Sequence, residues 1–202
     1  IWKNGQLTNN GPLHQLFEKR VSKHLEINAS LKFVTNGTLA LQIALRALDI
    51  TDGEIITTPF SYVATTSAIL WEHCTPVFVD IDEATLNIDP KNIEAAITKN
   101  TKAILAVHVF GNPCEVEAIQ EIADRHGLKV IYDAAHAFAV EYKGKSLLDY
   151  GDISTLSFHA TKLFHTIEGG AIVATNSDVA SRVDLLSRFG HNGDDHEVLG
   201  IN

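Results

Sequence analysis

Sulfur-containing residues are scarce in this chain of 202 residues, which has two cysteines and no methionine. Cys74 and Cys114 have neither the C-x-x-C spacing nor the Cys/His spacing of common metal sites, so neither a disulfide framework nor a zinc site has support. We therefore expect reduced thiols in a cytoplasmic protein. The chain opens on Ile1 and stops at Asn202 without a terminating pattern, so we expect a fragment of a longer protein.

Positive charge and long apolar runs are also lacking. Sixteen Lys and Arg against 25 Asp and Glu give a net charge of −9, and no local basic stripe offsets it, which argues against nucleic acid as a partner. Without an apolar run of about 18 residues or a basic-then-apolar leader, we expect neither a membrane span nor a signal peptide. The composition, 45% hydrophobic and 20% charged, is that of an ordinary globular protein of one or two domains.

Apolar runs of strand length alternate with segments of helical period. The runs look like buried parallel strands and cover residues 55–58, 77–80, 103–109, 130–132, 155–158 and 171–174. The helical segments cover residues 12–26, 38–48, 62–71, 93–99 and 116–126. This alternation predicts a doubly wound α/β fold with a site at the carboxyl ends of its strands.

The segment Ser157-Phe158-His159-Ala160-Thr161-Lys162 carries the strongest chemical signal. A strand ends on a hydroxyl, and a lysine follows with no acid beside it, the next acid being Glu168. A lysine partly buried beside apolar residues and near other cations titrates low, which is the condition for an amine that attacks a carbonyl to form a Schiff base. A solvated surface lysine is the commoner alternative.

A second signal is an acid at the end of a hydrophobic strand, in Tyr132-Asp133-Ala134-Ala135-His136. An acid that leaves a buried strand needs a partner, and a protonated ring nitrogen of a cofactor is a suitable one. A cap for a following helix explains Asp133 equally well. His136, taken alone, fits an interior histidine better than an acid–base group.

Two weaker signals lie at the starts of helices. Asn36-Gly37-Thr38 opens an apolar helix, where backbone N–H groups could bind a phosphate or Thr38 could simply cap the helix. Thr58-Pro59-Phe60-Ser61-Tyr62 brings aromatic rings to the sheet edge, where they could stack on a flat ligand or belong to the core.

Taken in order, these motifs resemble those of the DegT/DnrJ/EryC1/StrS family of nucleotide-sugar aminotransferases, which have the type I pyridoxal-phosphate fold. The resemblance also rests on Leu7-Thr8-Asn9-Asn10-Gly11-Pro12, Pro76-Val77-Phe78-Val79-Asp80 and Glu168-Gly169-Gly170-Ala171, and it extends over essentially the whole chain. It implies an α/β/α sandwich with a mostly parallel central sheet. Residues 1–30 would form an N-terminal segment with an opening helix, and residues 31–202 a truncated cofactor-binding large domain without its C-terminal small domain.

The resemblance also implies roles for the residues around the cofactor ring. Lys162 would bind pyridoxal 5'-phosphate covalently and then move protons. Asp133 would pair with the pyridine nitrogen, Tyr62 would stack on the ring, and His136 would lie near the phenolic oxygen.

At the other end of the cofactor, the resemblance implies a phosphate site. The backbone amides of Gly37 and Thr38 and the hydroxyl of Ser157 would hold the phosphate. Asn202 would reach the phosphate of the neighbouring subunit, which implies a homodimer with shared active sites.

The resemblance finally implies an activity. The protein would move an amino group from L-glutamate to a dTDP-linked keto-6-deoxysugar, with C4 preferred, in the synthesis of O-antigen or lipopolysaccharide precursors. Lysine rather than histidine at position 162 favours transamination over dehydration. A 3-keto or UDP-linked sugar, and a non-catalytic member that binds cofactor or a regulatory partner, are the alternatives.

Overall fold

The computed structural model describes Gly5 and residues 10–201. The helices of this part are α1 Pro12–His24, α2 Gly37–Ala47, α3 Val63–Trp71, α4 Pro90–Ala96, α5 Val116–His126 and α6 Ser177–Leu186. The strands are β1 Ser30–Val34, β2 Glu54–Thr57, β3 Thr75–Phe78, β4 Thr101–Val107, β5 Lys129–Asp133, β6 Glu141–Tyr142, β7 Lys145–Ser146, β8 Ile153–Ser157, β9 Gly170–Ala174, β10 His191–Asn192 and β11 Asp195–His196.

A seven-stranded sheet, in the order β1-β9-β8-β5-β4-β2-β3, forms the centre of the fold. Strands β3, β2, β4, β5 and β8 run parallel to one another, so their carboxyl ends meet at one edge. The predicted α/β fold with a mostly parallel sheet is therefore confirmed. Two short antiparallel hairpins, β6-β7 and β10-β11, lie outside this sheet.

Strand β9 is the exception to the parallel pattern, because it pairs antiparallel with both β1 and β8. The expectation of a parallel strand over residues 171–174 is therefore wrong in direction. After β8 the chain turns back through residues 158–169, which contain no helix. A parallel neighbour would have needed a crossover, usually an α-helix, across one face of the sheet.

Two hydrophobic clusters fill the two faces of the sheet. In β5, Val130 and Tyr132 belong to one cluster and Ile131 to the other, as the period of two along a strand requires. Helix α5 packs on the first face, while α2 packs on the second. Six of the eleven residues of α2 are buried, over a little more than half of its circumference, which explains its largely apolar sequence.

Some elements differ from the periodicity of the sequence. Helix α4 begins at Pro90, three residues before the predicted start, because proline fits the first turn and the Asp89 carboxylate accepts a hydrogen bond from Lys91 N at 3.0 Å. Helix α6 was not predicted at all, since only Val183 of its residues is fully buried. Within the described residues, no helix has the length and apolarity needed to cross a membrane.

Candidate active site

A cleft of about 1180 Å³ opens where β4, β5 and β8 end and α2 begins. Its walls also include the segment between β2 and α3 and the loop after β8. Seven of the site residues expected from the sequence line this cleft: Gly37, Thr38, Tyr62, Asp133, His136, Ser157 and Lys162. Asn202, the eighth, lies outside the described residues.

The start of α2 forms one end of the cleft. The side chain of Asn36, rather than that of Thr38, caps the helix, because its Oδ1 accepts a hydrogen bond from Leu39 N at 2.9 Å. A Cβ on Gly37 would lie 2.8 Å from the Ser157 Cβ, so only glycine allows this close approach to the end of β8. The first N–H groups of a helix have no acceptor within it, and with the nearby Ser157 hydroxyl they make a natural site for an anion.

Asp133 ends β5 and is buried, with 6% of its surface exposed. Its Oδ2 accepts a hydrogen bond from Thr65 Oγ1 at 2.8 Å, and its Oδ1 accepts one from Ala135 N at 3.1 Å. The residues directly after Asp133 form turns rather than a helix, so Asp133 is not a helix cap. An ionised carboxylate has about four lone-pair positions, so this side chain can still accept a hydrogen bond from a ligand.

His136 is exposed to the cleft and is not the interior histidine that the sequence favoured. The pKa of its imidazole lies below the ordinary value, first because its surroundings partly desolvate the ring and second because the Lys162 ammonium repels a second positive charge. The Asp133 carboxylate acts on this pKa in the opposite direction. His136 is therefore close enough to both Lys162 and Asp133 to feel their charges.

Lys162 lies in the loop that joins β8 to β9 and is partly buried. Its backbone N–H donates to His159 O at 2.9 Å, which closes a turn at this point. The loop is fastened to its own base, because Phe158 N donates to Gly169 O at 2.8 Å and Thr166 N donates to Phe158 O at 3.0 Å. The lysine is therefore held on an ordered loop at the cleft wall, unlike a solvated surface lysine.

The aromatic residues between β2 and α3 are not part of the core. Tyr62 directly precedes α3 and is 74% exposed, and Phe60 is 43% exposed. Both line the cleft, where they offer apolar surface to a ligand. The alternative that these rings are core residues is therefore wrong.

Sequence reasoning did not find Phe110, although this residue lines the cleft. Phe110 is 75% exposed, and its ring stacks on His136 with an interplanar angle of 7° and a centroid distance of 6.1 Å. The backbone of Phe110 has φ 54°, a region that costs a bulky residue energy. The buried Asn87 side chain fixes this turn by accepting from Val109 N at 2.9 Å and donating to Asn112 O at 3.0 Å. The signal in the sequence was an aromatic residue beside a glycine just after a strand.

His159 and Glu168, near opposite ends of the loop of residues 158–169 that carries Lys162 (the lysine loop), were also missed as a pair. His159 Nε2 and Glu168 Oε1 are 3.7 Å apart, and both residues line the cleft. The His159 ring is also anchored to Thr161, whose backbone N–H donates to Nδ1 at 3.3 Å. Since eight residues separate His159 from Glu168 in the chain, the folding of the loop brings them together.

The cleft can hold a flat, phosphorylated ligand, with the phosphate at the start of α2 and the flat ring beside Asp133 and Lys162. A family model described as the DegT/DnrJ/EryC1/StrS aminotransferase family matches residues 1–202, and the chain belongs to this family. It is similar to the dTDP-4-amino-4,6-dideoxy-D-glucose transaminase of Shigella dysenteriae, with 50% identity over 203 residues that cover 100% of this chain and 55% of the relative. The chain spans about half the length of the curated relatives it matches.

Solved structures agree with this assignment and with the type I fold. DesI, determined in the presence of its TDP-sugar product, superposes with a TM-score of 0.88 and 38% identity over 94% of this chain and 48% of its own. NtdA of Bacillus subtilis, with bound cofactor PMP, gives a TM-score of 0.89 and 34% identity over 100% of this chain and 46% of its own.

Aminotransferases of this family depend on pyridoxal phosphate, and the residues present fit that group. Because Gly37 has no Cβ, a small space stays open beside Ser157, next to backbone N–H groups that are suited to a phosphate. Asp133 retains capacity to accept a ring N–H, and Lys162 supplies an amine in the same cleft.

Proposed function

We propose that the protein is a pyridoxal-phosphate-dependent aminotransferase that moves the amino group of L-glutamate to C4 of a dTDP-linked keto-6-deoxysugar, in the synthesis of a surface polysaccharide. The observation that carries the proposal is that the Lys162 amine and the Asp133 carboxylate line one cleft with an anion-binding helix start. The choice of sugar is supported by the 50% identity to a relative that is named for a dTDP-4-amino-4,6-dideoxyglucose.

Binding of the cofactor would begin with its phosphate. The backbone N–H groups of Gly37 and Thr38 would donate to phosphate oxygens, the Ser157 hydroxyl would donate a further hydrogen bond, and the dipole of α2 would favour the negative charge. Tyr62 would cover one face of the ring with apolar surface, and His136 would lie near the phenolic oxygen. We further propose residues 31–202 as the cofactor-binding domain and residues 1–30 as its N-terminal segment.

When bound, pyridoxal phosphate supplies an electron sink for the carbanion that forms at the reacting carbon. Asp133 would support this chemistry by accepting the hydrogen bond of the pyridine N–H, so that the proton stays on that nitrogen. Because Asp133 is buried and already accepts two hydrogen bonds, its carboxylate would be held in place before the cofactor arrives.

Lys162 would have two successive tasks. Its Nζ would first hold the cofactor covalently, as a nucleophilic amine does with an aldehyde. Once the amino group of the donor has released it, the same Nζ would accept a proton from the donor carbon and return it as a general acid. The ordered loop keeps Nζ at the cleft wall during both tasks.

A homodimer with shared active sites, completed by Asn202 of the neighbouring subunit, belongs to the same proposal. Helix α3 supports it, because Val63, Leu70 and Trp71 are 64%, 56% and 73% exposed beside the cleft. Apolar side chains exposed together on one helix are typical of a surface that a partner covers. The cytoplasmic location stays a prediction.

The experiment is an absorbance titration of the complete protein that contains this chain. Pyridoxal phosphate should produce the near-visible band of a lysine-bound cofactor, L-glutamate should shift it, and Lys162→Ala should abolish it. Lys99→Ala is the matched control, because Lys99 is exposed and does not line the cleft. A band that survives in Lys162→Ala refutes the role of the lysine, and a band that glutamate leaves unshifted favours a non-catalytic binding protein.

The choice of sugar needs a separate assay. A panel of 3-keto and 4-keto sugars linked to dTDP or UDP, analysed for the carbon that receives nitrogen, should give a C4 amine with dTDP. Preferred amination at C3, or a preference for UDP, would replace this part of the proposal and leave the aminotransferase chemistry intact.

A further inference from the structure

The hydrogen bond between Thr65 and Asp133 joins two distant parts of the chain. Thr65 lies in the first turn of α3, 68 residues before Asp133, and its surface is completely buried. Its Oγ1 donates to Asp133 Oδ2 at 2.8 Å. Thr65 is not among the residues that line the cleft, so its side chain acts on a ligand there indirectly, and its hydroxyl reaches the cleft through Asp133.

The direction of this hydrogen bond is unusual for a helical threonine. In a helix the hydroxyl of threonine commonly bonds to a carbonyl three or four residues earlier. Here the carbonyl of Tyr62 accepts from the backbone N–H of Thr65 at 3.1 Å, and the hydroxyl of Thr65 points to the carboxylate instead. The first turn of α3 therefore connects Tyr62, which lines the cleft, with Asp133 through the backbone and the side chain of Thr65.

Two donors from different elements hold the Asp133 carboxylate, one on each oxygen. The terminal torsion of an aspartate is broad, so a single donor would leave the carboxylate free to rotate. Ala135 N holds Oδ1 and Thr65 Oγ1 holds Oδ2, which together fix the carboxylate plane. A fixed plane also fixes the direction of the lone pairs that stay available to a ligand.

We propose that Thr65 is a positioning residue that orients the Asp133 carboxylate toward the pyridine N–H of the bound cofactor. This inference rests on the proposed function. Loss of the hydroxyl leaves the Asp133 carboxylate less well directed, so the cofactor binds less tightly and the pyridine proton is less well held.

The test compares Thr65→Val, which keeps the shape and removes the hydroxyl, with Thr65→Ser, which keeps the hydroxyl. We expect Thr65→Val to weaken pyridoxal phosphate binding about tenfold, as loss of one hydrogen bond to a charged group implies, and to change the pH at which the near-visible band titrates. Thr65→Ser should retain the affinity and the pH profile of the unaltered protein.

Thr57→Val is the matched control, because Thr57 is equally buried and its Oγ1 has no hydrogen-bond partner among the described residues. This variant removes a buried hydroxyl that does not contact Asp133, and it should leave both readouts unchanged. An equal loss in Thr57→Val and Thr65→Val would mean a general packing effect and would overturn the proposal.

A double-mutant cycle separates positioning from structural damage. In an Asp133→Asn background, Thr65→Val should weaken binding less than it does in the unaltered protein, because the group it orients has been changed. Equal weakening in both backgrounds overturns the proposal. Should Thr65→Val not fold, Thr65→Ser decides: unaltered affinity and pH profile support the proposal, and weakened binding at unchanged thermal stability overturns it.

Failure of this inference can be told from failure of the proposed function. If the unaltered protein shows no lysine-bound cofactor band, the proposed function fails and the inference fails with it. If the band is present and depends on Lys162, but Thr65→Val binds and titrates as the unaltered protein does, only the role of Thr65 is refuted.

Discussion

Asn36 and Asn176 cap two helices in the same way, but only one of these helices begins in the cleft. Asn36 Oδ1 accepts from Leu39 N at the start of α2, and Asn176 Oδ1 accepts from Asp178 N at 2.8 Å at the start of α6. Replacement of either asparagine by alanine should destabilise the protein by about 1 kcal/mol, since the cap bond is lost. For a folded unit of about 200 residues that corresponds to a decrease of about 2–4 °C in Tm, which calorimetry can measure.

The two variants should differ in cofactor binding. Asn36→Ala leaves Leu39 N without its acceptor and loosens the turn that carries Gly37 and Thr38, so the phosphate loses well-aligned donors. If about 1 kcal/mol of this alignment is lost, the Kd for pyridoxal phosphate rises about fivefold. Asn176→Ala should leave the Kd unchanged, because α6 does not line the cleft.

Asn36→Asp separates the cap from the charge. Aspartate caps a helix as well as asparagine does, so the Tm should not fall, but its negative charge near the phosphate should weaken binding. The reasoning is refuted if Asn36→Ala and Asn176→Ala lower the Tm equally and neither changes the Kd. It is also refuted if Asn36→Asp binds the cofactor as tightly as the unaltered protein.

The Gly37→Ala methyl group would lie 2.8 Å from the Ser157 Cβ, so we expect a loss of about 1–3 kcal/mol in unfolding free energy and weaker cofactor binding. Ser157→Gly in the same chain should restore the Tm but not the affinity, and a single Gly37→Ala variant with an unchanged Tm would contradict the contact. Burial lowers the pKa of His108 to about 3, below the value near 6.5 of an unfolded chain, so the unfolded state binds the extra proton between these pH values. The contribution of His108 to stability is therefore complete above about pH 6.5 and declines as the pH falls toward 3. In this range His108→Asn should reduce the slope of the unfolding free energy against pH by up to about 1.4 kcal/mol per pH unit, measured by urea titrations. An unchanged slope would show that His108 does not contribute.

The sequence predicted the central part of the fold because buried parallel strands have a local signature. The apolar run that ends at Asp133 and the apolar sequence of α2 each reflect burial on more than one side, which composition alone reveals. The direction of β9 has no such signature, since an antiparallel strand buried between two neighbours is equally apolar. Helix α6 was not predicted for the opposite reason, because it buries too little of its surface to need a regular spacing of apolar residues.

The site residues that could be predicted are those whose side-chain chemistry and position at the end of a strand both indicate a function. Asp133 ends one strand and Lys162 follows another, and residues at that edge of a doubly wound sheet converge. Thr65 could not be found in this way, because its importance lies in a single hydrogen bond to a residue 68 positions later. Phe110 was hidden similarly, since only the folded chain shows that its ring lies parallel to that of His136.

The reversed strand β9 also sets how far apart the two ends of the cleft lie. Its first residue, Gly170, pairs with Val34 on one side and with Ser157 on the other, and a Cβ there would come within 2.6 Å of the Asn36 carbonyl. The backbone of Gly170 packs directly against that of Asn36, and this contact sets the distance between the lysine loop and the start of α2. Side chains around the mouth of the cleft can therefore vary during evolution while the spacing between the lysine loop and the start of α2 stays constant.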